Sequence, residues 1–482
     1  MNDFDSLCEE VTKRLTPSPQ ERLRIENLAD TIRRHVSKTC GEKGLDADVR
    51  IDGSVAKDTW LSQEADVDIF IRVPSYFTRQ EFERRCLEIA KSAMKGQKTV
   101  ERFAEHPYLE AWVEGIRINI VPCYNVEKGR WQSATDRTPY HTEYMKARLD
   151  ERLRREVRLL KRLTKATGVY GAEIKTSGFS GFLCEILTLY SKSFGEALKS
   201  VATWKRRHII DIDDIYAGRK SEVYDLFDES LIVIDPVDPA RNVAAAVAEK
   251  RMWEFVALSR ALLKGPRIEF FYPPATKTPT PKSLQKQALK IGSNLVFLAF
   301  GRVDAVVDIL WSQLYKTERS LSNVLEEKNF TVYRSGAWSN ERNLNVLVFE
   351  LERNRISRTR RHLGPQVERR EESERFLTRH LDASDTLAGP WIEKERWKVH
   401  KARACVDAIS FLKNSLQAGG KEIGVGSRIA ATMKTGFRLL RETDIAKLAK
   451  RDADFAMFLS QFLAGTPTWS RWTKNDQTRR SS

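Results

Sequence analysis

Residues 53–73 read GSVAKDTWLSQEADVDIFIRV, and this stretch decides the fold of the chain around it. Asp66 and Asp68 open its apolar second half, which predicts a β-strand whose alternate side chains share one face. Two neighbouring carboxylates repel each other unless a cation lies between them, and Mg²⁺ accepts carboxylate, phosphate and water oxygens. Ser54 and Lys57, after the initial glycine, predict a turn that holds phosphate. Either half alone is a weak signal, but their order and spacing favour metal-assisted phosphate chemistry over an edge strand with two surface acids.

The composition limits the class of protein. The chain has 482 residues, enough for about three domains, and 82 basic against 66 acidic residues give a formal net charge of +16. This excess indicates a polyanionic partner such as nucleic acid, although charge alone equally allows a generally basic surface. The six cysteines include no Cys-x-x-Cys pair, so neither a zinc knuckle nor a disulfide framework is indicated. No signal peptide or membrane-spanning run is recognisable, so we expect a cytoplasmic protein.

Two further strands are predicted near the carboxylate strand. Residues 108–113 and 116–121 have the period of strands, and Arg117 and Asn119 face away from the isoleucines of the second one. A Gly-Ser turn followed by an acidic-x-acidic strand resembles the nucleotidyltransferase superfamily that includes DNA polymerase β. A site of that type takes a third carboxylate from a neighbouring strand, and this sequence offers Asn119 there.

Three later segments carry the remaining signals. Residues 146–165 predict a basic helix, whose charges are ordinarily a solvated face. Residues 273–281 are rich in proline and threonine and are the best linker candidate. Residues 353–361 contain five arginines and no acid. Because arginine forks suit phosphate, contact with an RNA backbone is favoured there over a plain solvated loop.

Several short segments resemble the archaeal-type (class I) CCA-adding enzymes, which are tRNA nucleotidyltransferases. They cover residues 53–61, 104–108, 121–124, 133–141, 158–161, 168–173, 178–185, 235–238, 241–245 and 363–366. The resemblance implies an α+β fold with four domains. These would be a polymerase-β-like nucleotidyltransferase head (1–150), a helical neck (151–272), an α+β body (283–352) and a mostly helical tail that binds the tRNA acceptor arm (353–482).

The resemblance also implies which residues form the site. Asp66, Asp68 and Asn119 would be the catalytic and Mg²⁺-binding residues. The nucleotide-binding residues would be Ser54, Lys57, His141, Lys161, Tyr170 and Arg241. A lysine ammonium suits a triphosphate, and a tyrosine can stack on a base or bond to a sugar. The fork of donors on Arg241 would select C and A over U and G.

Two residues depart from the family pattern. Lys57 stands where some relatives have arginine, and Asn119 stands where the family usually has a third aspartate. Asparagine can ligate a hard cation through its carbonyl oxygen, but it cannot take a proton from an RNA hydroxyl and it removes one negative charge. Our hypothesis is an enzyme that tolerates this change, because the other site motifs are intact.

The resemblance therefore implies sequential addition of C, C and A to the 3′ end of tRNA from CTP and ATP, without a nucleic-acid template and with release of pyrophosphate. Two alternatives stay open. One is another RNA nucleotidyltransferase of the superfamily, such as a poly(A) polymerase or an oligoadenylate synthetase. The other is a catalytically silent tRNA-binding protein, for which Asn119 argues. The expected partners are tRNA, ATP and CTP, with no membrane, and the sequence leaves a homodimer open.

Overall fold

The structure, a computed structural model, describes residues 3–103 and 105–473. The first two residues of the predicted head, Ala104 and the end of the predicted tail lie outside the described residues. Within them the chain forms two compact units. The first contains residues up to Ala275 and those from Pro467 onward, and the second is Thr276–Thr466. Among the described helices, none is long and apolar enough to cross a membrane.

The first unit contains a five-stranded sheet, a pair of short strands and, among its described residues, ten α-helices. The strands of the sheet are β1 Asp48–Asp52, β2 Asp66–Pro74, β3 Lys98–Phe103, β4 Pro107–Val113 and β5 Ile116–Asn125. The helices are α1 Asp3–Leu15, α2 Pro19–Glu42, α3 Gly53–Ala56, α4 Arg79–Ala93, α5 Thr138–Arg148, α6 Glu151–Ala166, α7 Gly181–Ser191, α8 Phe194–Val201, α9 Lys220–Leu226 and α10 Glu249–Lys264. Two short strands, β6 His208–Ile210 and β7 Leu231–Val233, pair in parallel.

The large sheet has the strand order β1-β2-β5-β4-β3, in which β2 and β5 are parallel and the other neighbours are antiparallel. Its apolar face packs against α2 and α4, in one core that includes Ile32, Ile69 and Phe82. Side chains alternate along each strand, so the residues between these apolar positions point to the opposite face. That opposite face carries Asp66 and Asp68.

A second core of the first unit joins the N-terminal helix to the helices after residue 150. Val11 of α1 is fully buried in it with α6, α7 and α10, and the Trp472 ring meets Phe270 edge-on at 5.5 Å. The proposed division into a head (1–150) and a neck (151–272) therefore does not separate compact units. The amphipathic α1 buries its apolar stripe against the predicted neck, because the helices there turn apolar faces toward it.

The predicted basic helix at 146–165 is two helices in the structure. The Asp150 carboxylate accepts a hydrogen bond from the Leu153 amide at 2.7 Å, which makes Asp150 the N-cap of α6. Arg158, predicted on the charged face, is 1% exposed and donates to the Trp60 carbonyl at 2.9 Å. Buried backbone carbonyls require such partners, so part of the basic pattern serves the fold.

The second unit has two sheets. Its strands are β8 Asn294–Phe300, β9 Val332–Ser339, β10 Asn345–Leu351, β11 Thr359–Gln366, β12 Thr386–Glu393, β13 Arg396–Ala402 and β14 Phe437–Arg441. Its helices are α11 Pro281–Ile291, α12 Val307–Glu327, α13 Arg370–His380, α14 Ala408–Leu416, α15 Ser427–Thr435, α16 Ile445–Ala449 and α17 Ala453–Ala464. The sheet orders are β14-β8-β10-β9 and β11-β13-β12.

These sheets add strands that the interpretation of residues 353–482 as a mostly helical tail did not include. β11, β12 and β13 form an antiparallel sheet within that range, and β14 completes the sheet of the predicted body by pairing with β8. The strands were missed because β11 and β13 carry many arginines and lysines and few apolar residues, such as the buried Val399. Charge density concealed their period of two.

Candidate active site

The two carboxylates predicted to bind metal lie at the start of β2. In the parallel pairing of β2 with β5, Asp66 is opposite Arg117 and Asp68 is opposite Asn119. The Asn119 amide donates a hydrogen bond to Asp68 Oδ1 at 2.8 Å, and Arg117 Nε donates to Asp66 Oδ1 at 2.9 Å. Each carboxylate is therefore oriented by a side chain of the adjacent strand.

Gly53 brings the predicted phosphate turn against the carboxylate strand. It has a φ of +72° and begins α3 directly after β1. A Cβ atom at this position would lie 2.0 Å from Asp68 Oδ2, so only glycine fits both the backbone and the space. Ser54 follows and is half-buried. The two halves of residues 53–73 thus form one site.

The environment of Asp68 makes its carboxyl harder to ionise than an exposed aspartate. The pKa of the Asp68 carboxyl is raised to about 6, chiefly by burial and in smaller part by the charge of Asp66. The hydrogen bond from Asn119 and the ammonium of Lys57 lower it. A bound divalent cation would stabilise the ionised form, because opposite charge within a few ångströms favours ionisation.

Lys57 and Lys161 share one buried carboxylate that the sequence analysis did not identify. Glu185 on α7 is fully buried and lies 2.6 Å from Lys57 Nζ and 2.8 Å from Lys161 Nζ. The Thr59 hydroxyl donates to the same carboxylate at 2.6 Å. The two ammonium groups lower the pKa of Glu185 to about 2 against the effect of burial. The triad carries a net charge of +1 in a place predicted to face a triphosphate.

His141 and Arg241 are also held by one carboxylate. His141 Nε2 lies 2.8 Å from Asp235 Oδ2, and Arg241 Nη1 donates to Asp235 Oδ2 at 2.8 Å. The His141 ring stacks on Phe182 with a centroid separation of 4.0 Å. Arg241 stays partly exposed, with 39% of its side-chain surface accessible. It lines a cavity of about 690 Å³ together with Asp238 and other residues of the first unit.

The Tyr170 hydroxyl lies close to the Lys161 ammonium at the start of α7. A Cβ atom at Gly181 would be 2.9 Å from the Tyr170 hydroxyl and 3.7 Å from Lys161 Nζ, so these groups surround the start of α7. Burial raises the pKa of Tyr170, and the charges of Asp66 and Asp68 contribute to that rise. The hydroxyl is therefore neutral and within electrostatic reach of both aspartates.

Asp52, at the end of β1, is a further carboxylate on the site's face of the sheet. It is opposite Asp68 in the antiparallel pairing of β1 with β2, and it is fully buried. Neither of its carboxylate oxygens has a hydrogen-bond partner. Burial raises the pKa of Asp52, and the nearby Thr142 hydroxyl and Arg50 lower it. The Thr142 hydroxyl has only one proton, which it donates to the Thr138 carbonyl at 3.0 Å.

All nine site residues predicted from the sequence lie in the first unit: on strands β2 and β5, at helices α3, α5 and α6, and in the connecting segments that carry Tyr170 and Arg241. The residues missed were three acids and one arginine. Arg117, Glu185 and Asp235 hold predicted site residues, and Asp52 lies opposite Asp68. One signal was available for Glu185, because it is the only charge in the apolar helix GFLCEILTL and a lone buried charge requires partners. The other three follow from strand register and a long-range contact.

The donors available to a metal are few. Within residues 3–103 and 105–473, no group of three or more histidine, cysteine, aspartate or glutamate side chains could hold a metal ion. The donor set at β2 and β5 is therefore two carboxylates and one amide carbonyl. This set fits Mg²⁺, which is usually held by one or two protein carboxylates and completes its octahedron with phosphate and water oxygens.

Comparison with known families gives matches along most of the chain. The nucleotidyltransferase domain model matches residues 33–141, and the second domain of tRNA nucleotidyltransferase matches residues 155–272. The C-terminal domain of the CCA-adding enzyme matches residues 291–442. The first match contains the carboxylate strand, and the second contains the lysine triad and Arg241.

Comparison with individual proteins gives relatives of nearly the same length. A CCA-adding enzyme of Haloarcula marismortui is 34% identical over 466 residues, covering 93% of this chain and 96% of the relative. One from Methanosarcina acetivorans is 33% identical, covering 94% of this chain and 97% of the relative. One from Methanopyrus kandleri is 33% identical, covering 96% and 98% respectively.

Proposed function

Because the chain belongs to the family of archaeal CCA-adding enzymes, which are tRNA nucleotidyltransferases, we propose that its site adds C, C and A in sequence to the 3′ end of tRNA. The nucleotides come from CTP and ATP, pyrophosphate leaves at each step, and no nucleic-acid template is used. The observation that supports these assignments is the contact of the Gly53 turn with Asp68, beside the lysine triad.

We assign Mg²⁺ to Asp66, Asp68 and the Asn119 carbonyl. When bound, it supplies Lewis acidity for in-line displacement at the nucleotide's α-phosphorus. The chain's own part is to position these donors: the amide of Asn119 orients Asp68, and Arg117 orients Asp66. Asn119 cannot accept a proton, so it contributes no general base at this position.

Lys57 and Lys161 are assigned to the triphosphate. Because Glu185 neutralises only one of the two ammonium charges, the triad keeps one positive charge for phosphate oxygens. Burial keeps these charges from being screened by solvent ions. The carboxylate of Glu185 also fixes the position of both ammonium groups before the nucleotide binds, which reduces the cost of ordering them.

The RNA grip is assigned to the arginine-rich segment rather than to α6. Most cations of α6 already have partners in the first unit, namely Arg154, Arg155, Arg158, Lys161, Arg162 and Lys165. In contrast, the five arginines of residues 353–361 are all exposed. RNA helices are recognised chiefly by shape and backbone, for which exposed guanidinium groups are suited. We therefore still propose that the tail, residues 353–482, binds the acceptor arm of tRNA.

We further propose that the enzyme acts in the cytoplasm, with tRNA and nucleoside triphosphates as its partners. Its six cysteines are free thiols, as a reducing compartment requires. The nine predicted site residues belong to a single chain, so a homodimer is not needed to complete the site.

Primer extension tests the function directly. On a tRNA transcript without its CCA end, with Mg²⁺, we expect two additions from CTP alone, a third only when ATP is also present, and then a stop. UTP and GTP should give no comparable addition. Products longer than CCA would indicate another RNA nucleotidyltransferase. Absence of any addition would indicate a silent tRNA-binding protein, and Asn119→Asp would then show whether the missing carboxylate is responsible.

Arg241 tests nucleotide selection. We expect Arg241→Ala to lower the preference for CTP over UTP by about 10- to 100-fold, because one paired base contact contributes roughly 1–3 kcal/mol of discrimination. The measurement is the ratio of single-turnover rates with the two nucleotides. Arg219→Ala is the matched control, since Arg219 is an exposed arginine of the same unit that pairs with Glu222. An unchanged ratio in Arg241→Ala would place base recognition elsewhere.

A further inference from the structure

The contacts of Asp52 do not explain why a carboxylate is buried at this position. Both of its carboxylate oxygens are buried without a hydrogen-bond partner, which is costly for an ionisable group. Three cations influence it electrostatically, namely Lys57, Arg50 and Arg72. Each of them already has a carboxylate partner, at 2.6, 2.8 and 3.0 Å: Glu185, Glu143 and Asp48 respectively. Asp52 is therefore not needed to neutralise any of the three.

The register of the sheet relates Asp52 to Asn119. Asp68 on the central strand β2 has one neighbour on each side, Asn119 on β5 and Asp52 on β1. Directly opposite residues on neighbouring strands point to the same face with Cβ atoms about 5 Å apart. The carboxylate that Asn119 does not supply on one side of Asp68 is thus present on the other side.

We propose that Asp52 supplies, from β1, the negative charge that Asn119 lacks on β5, and that it strengthens divalent-cation binding at Asp66 and Asp68 as a positioning residue. This inference rests on the proposed function, which assigns the divalent cation to Asp66 and Asp68. Asp52 acts through Asp68 rather than as a ligand, because it is fully buried and no three-acid metal cluster occurs among the described residues. One unit charge a few ångströms from a divalent cation is enough to change its affinity about tenfold.

The test is a titration of the full-length protein with Mn²⁺ alone, in which free Mn²⁺ is measured by electron paramagnetic resonance. We expect Asp52→Asn to weaken Mn²⁺ binding about tenfold and Asp52→Asn/Asn119→Asp to recover most of that loss. Asp46→Asn should leave the affinity unchanged, because Asp46 is an exposed acid just before the same strand, more than about 13 Å from Asp52 along the chain. The metal-free melting temperature of Asp52→Asn should stay the same or rise, because the substitution removes an unpaired buried charge.

Two results would overturn the inference. One is an unchanged Mn²⁺ affinity in Asp52→Asn. The other is a large fall in its melting temperature or a failure to fold, which would mean that Asp52 supports the fold. Asp68→Asn separates this inference from the proposed metal site: if that variant still binds Mn²⁺ like the unaltered protein, the site assignment itself fails, whereas its loss with an unaffected Asp52→Asn refutes only the role of Asp52.

Discussion

Asp68→Asn is expected to lower nucleotide addition at least about 10³-fold while tRNA binding changes less than twofold. The substitution keeps the shape of the side chain but removes the charge that a divalent cation requires. Asp68 contacts two other parts of the site: it lies against the Gly53 turn, and it accepts a hydrogen bond from Asn119. RNA contacts assigned to residues 353–361 are unaffected, so binding and chemistry should separate.

Single-turnover addition of CMP and a filter-binding assay on the same tRNA measure the two quantities for Asp68→Asn. Glu101→Gln serves as the control, because Glu101 is an exposed acid of the same sheet that pairs with Lys91 at 2.6 Å. It should retain full activity. If Asp68→Asn kept normal rates, the transfer site would have to lie away from β2.

Glu185→Ala is expected to destabilise the first unit by about 3–5 kcal/mol, the range found when one partner of a buried ion pair is removed. Lys57 and Lys161 would both remain buried, 7% and 3% exposed, without their common carboxylate. Two like charges would then face each other where water cannot screen them. The Thr59 hydroxyl would lose its acceptor at the same time.

Urea denaturation at several pH values measures this effect. In the folded state the pKa of Glu185 is lowered from 4.5 to about 2. The resulting stabilisation is therefore present above pH 4.5 and is lost as the pH falls through 2. Glu196→Ala is the comparison, because its pair with Lys199 has a similar length of 2.7 Å but is exposed and should hardly change the midpoint. A Glu185→Ala midpoint equal to that of Glu196→Ala would contradict the buried triad.

The carboxylate strand and the glycine turn could be predicted from the sequence because their signals are local. The alternation of apolar residues after Asp66 establishes a strand, and the spacing from Gly53 places the turn before it. The α+β class follows from such elements and is confirmed. Arg117 and Asp52 could not be assigned in this way, since their importance depends on which residues of β2 they oppose, and register is decided by the whole sheet.

The packing between elements that are distant in the sequence could not be predicted from local sequence patterns either. The helix α1 packs against α6, and nothing in its local sequence showed that its partner is α6 rather than the nearby sheet. In β11 and β13 the dense positive charge obscured the alternation of the strands. The five arginines at 353–361 are exposed, which the proposed RNA contact requires. In α6 the basic pattern includes the buried Arg158 and Lys161, so a charged pattern alone predicted neither exposure nor backbone conformation.

The position of Trp472 against Phe270 has a consequence for how the protein is made. The polypeptide leaves the first unit after Ala275 and rejoins it at Pro467, so the second unit is an insertion in the first. A ribosome must therefore synthesise all of residues 276–466 before the last aromatic side chains reach the helical core. The first unit consequently completes its folding only after the second unit has emerged from the ribosome. A chain that ended before residue 467 would lack Trp472 and leave a cavity beside Phe270 in the helical core.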